Sequence, residues 1–175
     1  MSTITTPANL NNEAIEAIAE AARRAFNFES ADKIKSVVKS IGGSFKYDWN
    51  GTSDGALDVR ALGDFTIELS PFTSDLRDVF TIAHELGHYV LHYPLSPEKT
   101  NGDVFHAKRE PASDPCGQRA EIEANRFAAA FLMPADDFRQ QWNERGRNAA
   151  EVALHYGVSK SAAETRAKSL RLSEV

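Results

Sequence analysis

The segment at residues 84–88, His-Glu-Leu-Gly-His, constrains the structure of this chain more than any other segment. Residues four apart lie on one face of an α-helix, so the imidazoles of His84 and His88 can bind the same metal ion. Zinc accepts imidazole nitrogen, and a catalytic zinc site needs three protein ligands and a water molecule. Glu85 follows the first histidine and is placed to take a proton from that water. The segment therefore predicts a metal-binding helix that carries a catalytic carboxylate.

The residues around this segment indicate that its helix is buried. From Phe80 to Leu91, the only charged residues are those of the segment itself. A surface helix would show charges on its outward face over three turns. Buried polar groups need partners, and one metal ion can serve two histidines and a glutamate together. The alternative is a helix whose histidines only hydrogen-bond to neighbouring groups.

The composition is that of an ordinary globular protein. The chain has 175 residues, of which 42% are hydrophobic and 26% are charged, and its net charge is −5. These values give no reason to expect a nucleic-acid or membrane partner. The single cysteine, Cys116, excludes an intramolecular disulfide, and no signal peptide or membrane span is visible. We therefore expect a cytoplasmic protein with a flexible leader at residues 1–10 and a single domain at residues 11–175.

Periodic apolar residues predict an α+β arrangement of the elements. Helical spacing predicts two helices before residue 42 and further helices after residue 118, and alternation predicts strands between them. The three predicted strands are separated by turn residues and were expected to form a short antiparallel meander. The helices are predicted at residues 11–26, 30–41, 119–132, 135–143 and 147–172, with a break at 157–159, and the strands at 44–49, 56–62 and 64–70. Those from residue 135 to residue 172 are assigned to the same domain, and a long connection rich in Pro, Ser, Asp and Gly occupies residues 93–119.

A third metal ligand is expected from a later helix. Leu91 and Pro94 stand where the longer metzincin pattern needs a glycine and a histidine, so that pattern is excluded. The helix at residues 119–132 offers two carboxylates instead. At 100° per residue, Glu121 lies roughly 65° and Glu123 roughly 95° from the centre of the apolar face of that helix. The spacing favours Glu121 but leaves Glu123 open.

Three segments, residues 80–88, 121–128 and 132–134, resemble in sequence and order the ImmA/IrrE family of zinc metallopeptidases. The resemblance covers roughly residues 30–172. It implies a small gluzincin-like zincin fold, with a short antiparallel sheet packed on the metal-binding helix and a helical C-terminal part. In this family a glutamate of the later helix is the third ligand, and an asparagine or aspartate four residues on supports a ligating histidine. By this resemblance Glu121 is the ligand and Asn125 is the supporting residue.

The resemblance also implies a function. Zn²⁺ held by His84, His88 and Glu121 would serve an intracellular endopeptidase with Glu85 as its base, and the expected substrate is a repressor-type transcriptional regulator. The substrate would add as an extended strand to the strand at residues 65–70, which the resemblance places at the sheet edge. Stabilising the oxyanion needs one more group. The candidates for that role are Tyr47, Tyr93, His92 and His106.

Other interpretations stay open beside the peptidase. Residues 149–170 could form a helix-turn-helix, but acidic residues dilute its positive charge, so direct DNA binding is not expected. Cys116 could occupy the open metal position and hold the enzyme latent, although a lone loop cysteine is usually inert. The alternative function is a non-proteolytic regulator, such as a toxin–antitoxin component that binds a partner protein.

Overall fold

A computed structural model describes residues 5–50, 55–108 and 115–172 of the chain. Over these ranges helices surround one small sheet, which confirms the predicted α+β class. The helices are α1 (Asn12–Ala25), α2 (Ile34–Ser40), α3 (Asp75–Gly87), α4 (Pro97–Asn101), α5 (Pro115–Leu132), α6 (Ala135–Glu144), α7 (Ala149–Tyr156) and α8 (Lys160–Ser169). The strands are β1 (Gly43–Tyr47), β2 (Ala56–Ala61), β3 (Asp64–Leu69) and β4 (Phe105–Lys108).

The sheet is mixed, with the strand order β1-β3-β2-β4. β2 and β3 form the expected antiparallel hairpin, and β4 is antiparallel to β2. β1, however, pairs with β3 in the parallel direction, so the predicted antiparallel meander is wrong for this strand. The physical reason is that the short β2–β3 turn keeps those two strands adjacent. The other side of β2 is occupied by β4, so β1 joins the sheet beyond β3, where it runs in the same direction as β3.

β4 was missed in the sequence and changes which strand is the edge. It lies in the long connection that was expected to lack regular structure, and it buries Phe105 and Ala107 in alternation. The strand at residues 65–70 was expected to lie at the edge of the sheet, and this expectation is wrong because β3 has strands on both sides. Among the described strands, the two edges of the sheet are β1 and β4.

The buried face of the sheet packs against the helix that carries the histidines. Phe65, Ile67 and Leu69 of β3 are buried, as their alternation in the sequence predicts. Ile82 and Leu86 of α3 are also buried and belong to the same hydrophobic core. Burying a side chain of this size contributes about 1.5–3 kcal/mol. The core therefore fixes one side of α3 and leaves its other side to the polar residues.

α3 has a defined start and a modified end. The hydroxyl of Ser74 caps it by accepting a hydrogen bond from the N–H of Arg77 at 3.3 Å. After Gly87 the chain does not leave the helix but continues as a π-helical turn, His88–His92. Single π turns inside helices are frequent at functional sites. The turn extends the row of histidines begun by α3.

The N-terminal segment, expected as a loose leader over residues 1–10, packs on the domain in its described part. Pro7 is buried, and the N–H groups of Ala8 and Leu10 donate to the carboxylate of Glu123 at 2.8 and 3.1 Å. These contacts reach across more than a hundred residues of sequence, which is why no local pattern predicted them. The boundaries at residues 1–10 and 11–175 stay a prediction.

The C-terminal helices are tied to the rest of the fold by Arg166. Its side chain is buried, donates to both carboxylate oxygens of Glu16 in α1 at 2.6 and 2.8 Å, and donates to the carbonyl of Met133 at 3.0 Å. This arginine was one of the positive charges that suggested a helix-turn-helix, and here it holds α8 against α1. None of the described helices is both long enough and apolar enough to cross a membrane.

Candidate metal centre

Three side chains meet between α3, the π turn and α5. His84 and His88 are buried, and the side chain of Glu121 is 21% exposed. The Nε2 atoms of the two histidines lie 3.1 Å apart. Glu121 places Oε2 3.3 Å from Nε2 of His84 and Oε1 3.1 Å from Nε2 of His88. These three residues, the metal cluster below, form a group that could hold a metal ion.

A close approach of α3 and α5 makes this meeting possible. Gly87 lies between the two helices, and a Cβ atom added there would be 3.1 Å from both the Cα and the carbonyl oxygen of Ala124. A side chain at position 87 would therefore push α5 away. Because Glu121 lies one turn before Ala124, the separation of the helices at Gly87 sets the reach of the Glu121 carboxylate. The glycine of the His-Glu-Leu-Gly-His segment has this packing role, which the sequence did not reveal.

Asn125, the supporting residue that the family resemblance assigns, contacts the first histidine. Its Oδ1 lies 2.9 Å from Nδ1 of His84. An amide oxygen only accepts hydrogen bonds, so Nδ1 of His84 carries the proton and donates. Nε2 of His84 then presents a lone pair to the metal cluster. A ligating histidine commonly has such an acceptor on its other nitrogen.

The second histidine is supported by two residues that the sequence did not identify for this role. Nδ1 of His88 lies 3.0 Å from Nδ1 of His92, and Nε2 of His92 lies 3.0 Å from Oε2 of Glu123. All three side chains are buried. We call His92 and Glu123 the buried relay. The i, i+4 row of histidines at 84, 88 and 92 was the available signal, but it could not show that Glu123 closes the row.

The relay has one charged member and one neutral member. Burial would raise the pKa of Glu123, but hydrogen bonds from His92 and from the N–H groups of Ala8 and Leu10 outweigh burial, and its pKa lies below the usual value. For His92, burial and the neighbouring His88 lower the pKa to about 4, and the favourable contact with Glu123 only partly offsets them. At neutral pH the relay is therefore a carboxylate and a neutral imidazole.

Glu121 is held as a carboxylate by the two histidines. Burial alone would raise its pKa, but its contacts with His84 and His88 lower the pKa well below the usual range of a glutamate. The metal cluster therefore offers one anionic oxygen donor beside two imidazole nitrogens. This mixed set of donors is one that binds divalent metal ions.

Glu85 lies beside the start of β2. Its side chain is 1% exposed, and a Cβ atom added to Gly55 would be 2.9 Å from Oε1 of Glu85. Gly55 has a φ of +140°, which side-chain-bearing residues rarely adopt. Both observations reserve position 55 for glycine and leave room for the Glu85 carboxylate. In the sequence Gly55 was only a turn residue between two strands.

The other residues singled out in the sequence are not members of the metal cluster. Both ring nitrogens of His92 are engaged in the relay, and the buried Tyr93 ring stacks with Tyr89 at a centroid distance of 6.1 Å. Nδ1 of His106 lies 2.7 Å from Asp58, a residue of β2. Tyr47 is 44% exposed at the end of β1, and Cys116 is exposed in the first turn of α5.

The fold and the site together define a small α+β protein with a metal cluster between two closely packed helices. The sequence model of the Peptidase_M78 family, described as the IrrE N-terminal-like domain, matches residues 51–168. The chain therefore belongs to this family, which confirms the resemblance seen in the sequence. Membership supports a metallopeptidase-type role of the ImmA/IrrE kind, and the metal cluster lies within the matched residues.

A solved structure of a Mycobacterium tuberculosis transcriptional regulator has a similar fold, with a TM-score of 0.62 at 16% sequence identity. The match covers 86% of this chain and 45% of the regulator, so the chain spans less than half of that protein's length. At this identity the likeness shows the fold alone. A comparison with curated proteins found no match.

Proposed function

We propose that the protein is a zinc-dependent endopeptidase that cleaves a specific repressor-type transcriptional regulator. The observation that carries the proposal is the metal cluster of His84, His88 and Glu121, with the buried Glu85 next to its first member. A purely structural zinc site is usually closed by cysteines and would have no use for a buried glutamate beside it. Family membership supports the same chemistry.

The donor set and its spacing fit zinc. Two ligands at about 2.0–2.1 Å from a tetrahedral zinc ion lie about 3.3 Å from each other. In the metal cluster the two Nε2 atoms are 3.1 Å apart, and Oε2 and Oε1 of Glu121 lie 3.3 Å from His84 and 3.1 Å from His88, respectively. Three protein ligands leave one position for water or substrate, as catalytic zinc sites require. The acceptor on Nδ1 of His84 further fits a metal ligand on Nε2.

The chain supplies the acid–base chemistry through Glu85. When bound, zinc makes water a stronger acid and polarises a peptide carbonyl. The Glu85 carboxylate accepts a proton from the attacking water and then delivers it to the leaving amine. Its burial keeps bulk water away from this proton transfer. No covalent enzyme intermediate is needed.

β4 is the strand that we propose for substrate binding. Lys108, the last residue of β4, pairs with Ala56, and Ala56 follows Gly55, where an added Cβ would lie 2.9 Å from Oε1 of Glu85. Among the described strands β4 is an edge strand, and its end lies near the catalytic carboxylate, where an extended peptide could pair with it. This mode requires an unfolded or linker segment in the substrate. A phage- or mobile-element-type repressor is the substrate class that the family resemblance suggests, and a cytoplasmic location stays a prediction.

The test compares Glu85→Gln with the wild type and with Glu151→Gln, an exposed glutamate of α7. Each protein is loaded with zinc, its metal content is measured, and it is incubated with the repressor encoded beside it. We expect Glu85→Gln to keep its zinc and to lose cleavage by at least about 100-fold, the size of a general-base contribution. Glu151→Gln should cleave normally.

Cleavage by Glu85→Gln at the wild-type rate would overturn the assigned mechanism. A zinc-loaded wild type that binds the repressor without cutting it would favour the alternative, a non-proteolytic regulator or toxin–antitoxin component. Peptide products identified by mass spectrometry distinguish these outcomes.

A further inference from the structure

The buried relay raises the question of why a charged carboxylate lies in the protein interior behind a histidine. Glu123 is 1% exposed and accepts three hydrogen bonds: from His92 at 3.0 Å, from the N–H of Ala8 at 2.8 Å and from the N–H of Leu10 at 3.1 Å. Arg119 adds an ion pair at 3.5 Å. Burying an ion pair is costly, and apolar residues of similar volume often serve stability equally well. The arrangement therefore indicates a purpose other than packing.

The hydrogen bonds of the relay connect Glu123 through His92 to His88, a member of the metal cluster. A carboxylate only accepts, so Nε2 of His92 must donate to Glu123. In the arrangement that leaves Nε2 of His88 to a metal ion, Nδ1 of His88 donates to Nδ1 of His92, 3.0 Å away. With its proton on Nδ1, His88 presents the lone pair of Nε2 to Glu121 and His84. One buried charge thus fixes the tautomer of two imidazoles in series.

The backbone keeps the relay in register. His88 and His92 are the first and last residues of the π turn, and their ring centroids lie 4.9 Å apart. The N–H groups of the N-terminal segment hold both oxygens of the carboxylate, Ala8 at Oε2 and Leu10 at Oε1. The position of Glu123 is therefore set independently of the metal cluster.

We propose that His92 and Glu123 are positioning residues that hold His88 in the tautomer and orientation needed to bind the metal ion. They act through His88 and need not touch the substrate. The inference rests on the proposed metal site. It goes beyond that site because it assigns a role to two residues outside the ligand set.

The first experiment measures zinc affinity by competition with a chromophoric chelator. Glu123→Gln removes the charge and keeps the size of the side chain. The matched control is Glu16→Gln, since Glu16 also accepts hydrogen bonds from a buried basic group, Arg166, but belongs to neither the metal cluster nor the relay. Outer-shell partners of metal ligands are worth about 10–100-fold in affinity. We expect a loss of that size for Glu123→Gln and less than about twofold for Glu16→Gln.

The second experiment separates positioning from packing at residue 92. His92→Gln keeps one acceptor and one donor, whereas His92→Phe keeps the ring volume without either. Zinc affinity should fall in both, and by several-fold more in His92→Phe. Equal affinity of both variants and the wild type would overturn the proposal. Equal losses in the two variants would reduce the role of His92 to packing and would overturn it as well.

A third measurement does not need the metal. Nitrogen NMR of the histidine rings in the metal-free protein reports the tautomer of His88. We expect a single Nδ1–H form in the wild type and in Glu16→Gln, and a mixture of tautomers in Glu123→Gln. An unchanged tautomer in Glu123→Gln overturns the relay. A different result separates the two proposals. If the wild type shows the Nδ1–H form of His88 but binds no zinc, the proposed function fails while the relay stands.

Discussion

Glu121 and Glu123 stand two residues apart in α5 and have opposite environments. The side chain of Glu121 is 21% exposed and meets two histidines at the metal cluster. The side chain of Glu123 is 1% exposed and meets the third histidine of the same row, together with backbone N–H groups of the N-terminal segment. One helix therefore places one carboxylate in the metal cluster and a second carboxylate against His92, which contacts a histidine of that cluster.

The difference shows that identical residue types can serve the same site in two ways. Two residues turn an α-helix by about 200°, so neighbouring glutamates of this spacing cannot face the same partner. A carboxylate that keeps some contact with solvent is accessible to a metal ion and a substrate. A carboxylate that is enclosed by fixed donors can instead hold a ligand in place. The following predictions test this division of roles.

The largest effect is expected from Glu121→Ala. Loss of a direct ligand should weaken zinc binding by more than the 10–100-fold typical of outer-shell partners. The free energy of unfolding of the metal-free protein at pH 8 should fall by less than it does for Glu123→Ala, because the Glu121 carboxylate keeps some contact with solvent. Chelator competition and urea unfolding measure the two quantities.

Glu123→Ala is the comparison variant. It should lower the free energy of unfolding more, and zinc affinity less, than Glu121→Ala does. It leaves buried donors without an acceptor, so the free energy of unfolding should fall by about 3 kcal/mol. If Glu123→Ala abolished zinc binding while Glu121→Ala kept it, the roles assigned to the two glutamates would have to be exchanged.

A second prediction concerns pH and the metal-free protein. The pKa of His92 is lowered by burial and by His88 from 6.5 to about 4, and the groups that face it are His88, Glu121 and Glu123. The folded-state pKa of His92 lies below the unfolded value. The contribution of His92 to the free energy of unfolding is therefore complete above about pH 6.5 and is lost as the pH falls to about 4. In this window the unfolded chain binds one more proton, which lowers stability by about 1.4 kcal/mol per pH unit.

Urea unfolding in the presence of a chelator at several pH values between 7.5 and 4.5 measures this slope. His92→Phe should flatten it, and the control His155→Phe, a change at an exposed histidine of α7, should not. An unchanged slope in His92→Phe would assign the acid sensitivity to other groups.

The features that the sequence predicted depend on local periodicity. The i, i+4 spacing of His84 and His88 placed both on one helix face, and alternation identified β3 as a half-buried strand. The choice between Glu121 and Glu123 was already less certain, because their calculated angles differed little. The family resemblance resolved that choice, and the structure brings Glu121 to the histidines.

The features that the sequence did not predict depend on contacts between distant segments. The parallel pairing of β1 with β3 follows from the order in which strands fill the sheet. β4 has four residues and only two buried positions, too few for a periodic signal. The relay needed the contact between His92 and Glu123, which are 31 residues apart, and the N-terminal N–H groups more than a hundred residues away.

The smallest effect is expected from Gly87→Ala, which tests the spacing of α3 and α5 that lets Glu121 reach the histidines. The added Cβ would lie 3.1 Å from the backbone of Ala124 and 3.3 Å from Cβ of Phe127, so the helices must separate by a few tenths of an ångström. Alanine in place of a helical glycine also favours the helix by about 1 kcal/mol. Zinc affinity should therefore fall several-fold while the free energy of unfolding changes little.

Gly102→Ala is the control with the opposite pattern. Its Cβ would meet nothing within 4 Å, but Gly102 has a φ of +76°, so the substitution strains the backbone. We expect it to cost about 1 kcal/mol of unfolding free energy and to leave zinc affinity unchanged. Should Gly87→Ala also leave zinc affinity unchanged, the reach of Glu121 would be set by its own side-chain conformation. The contrast between the two glutamates would then arise within α5 alone, without a contribution from the distance between the helices.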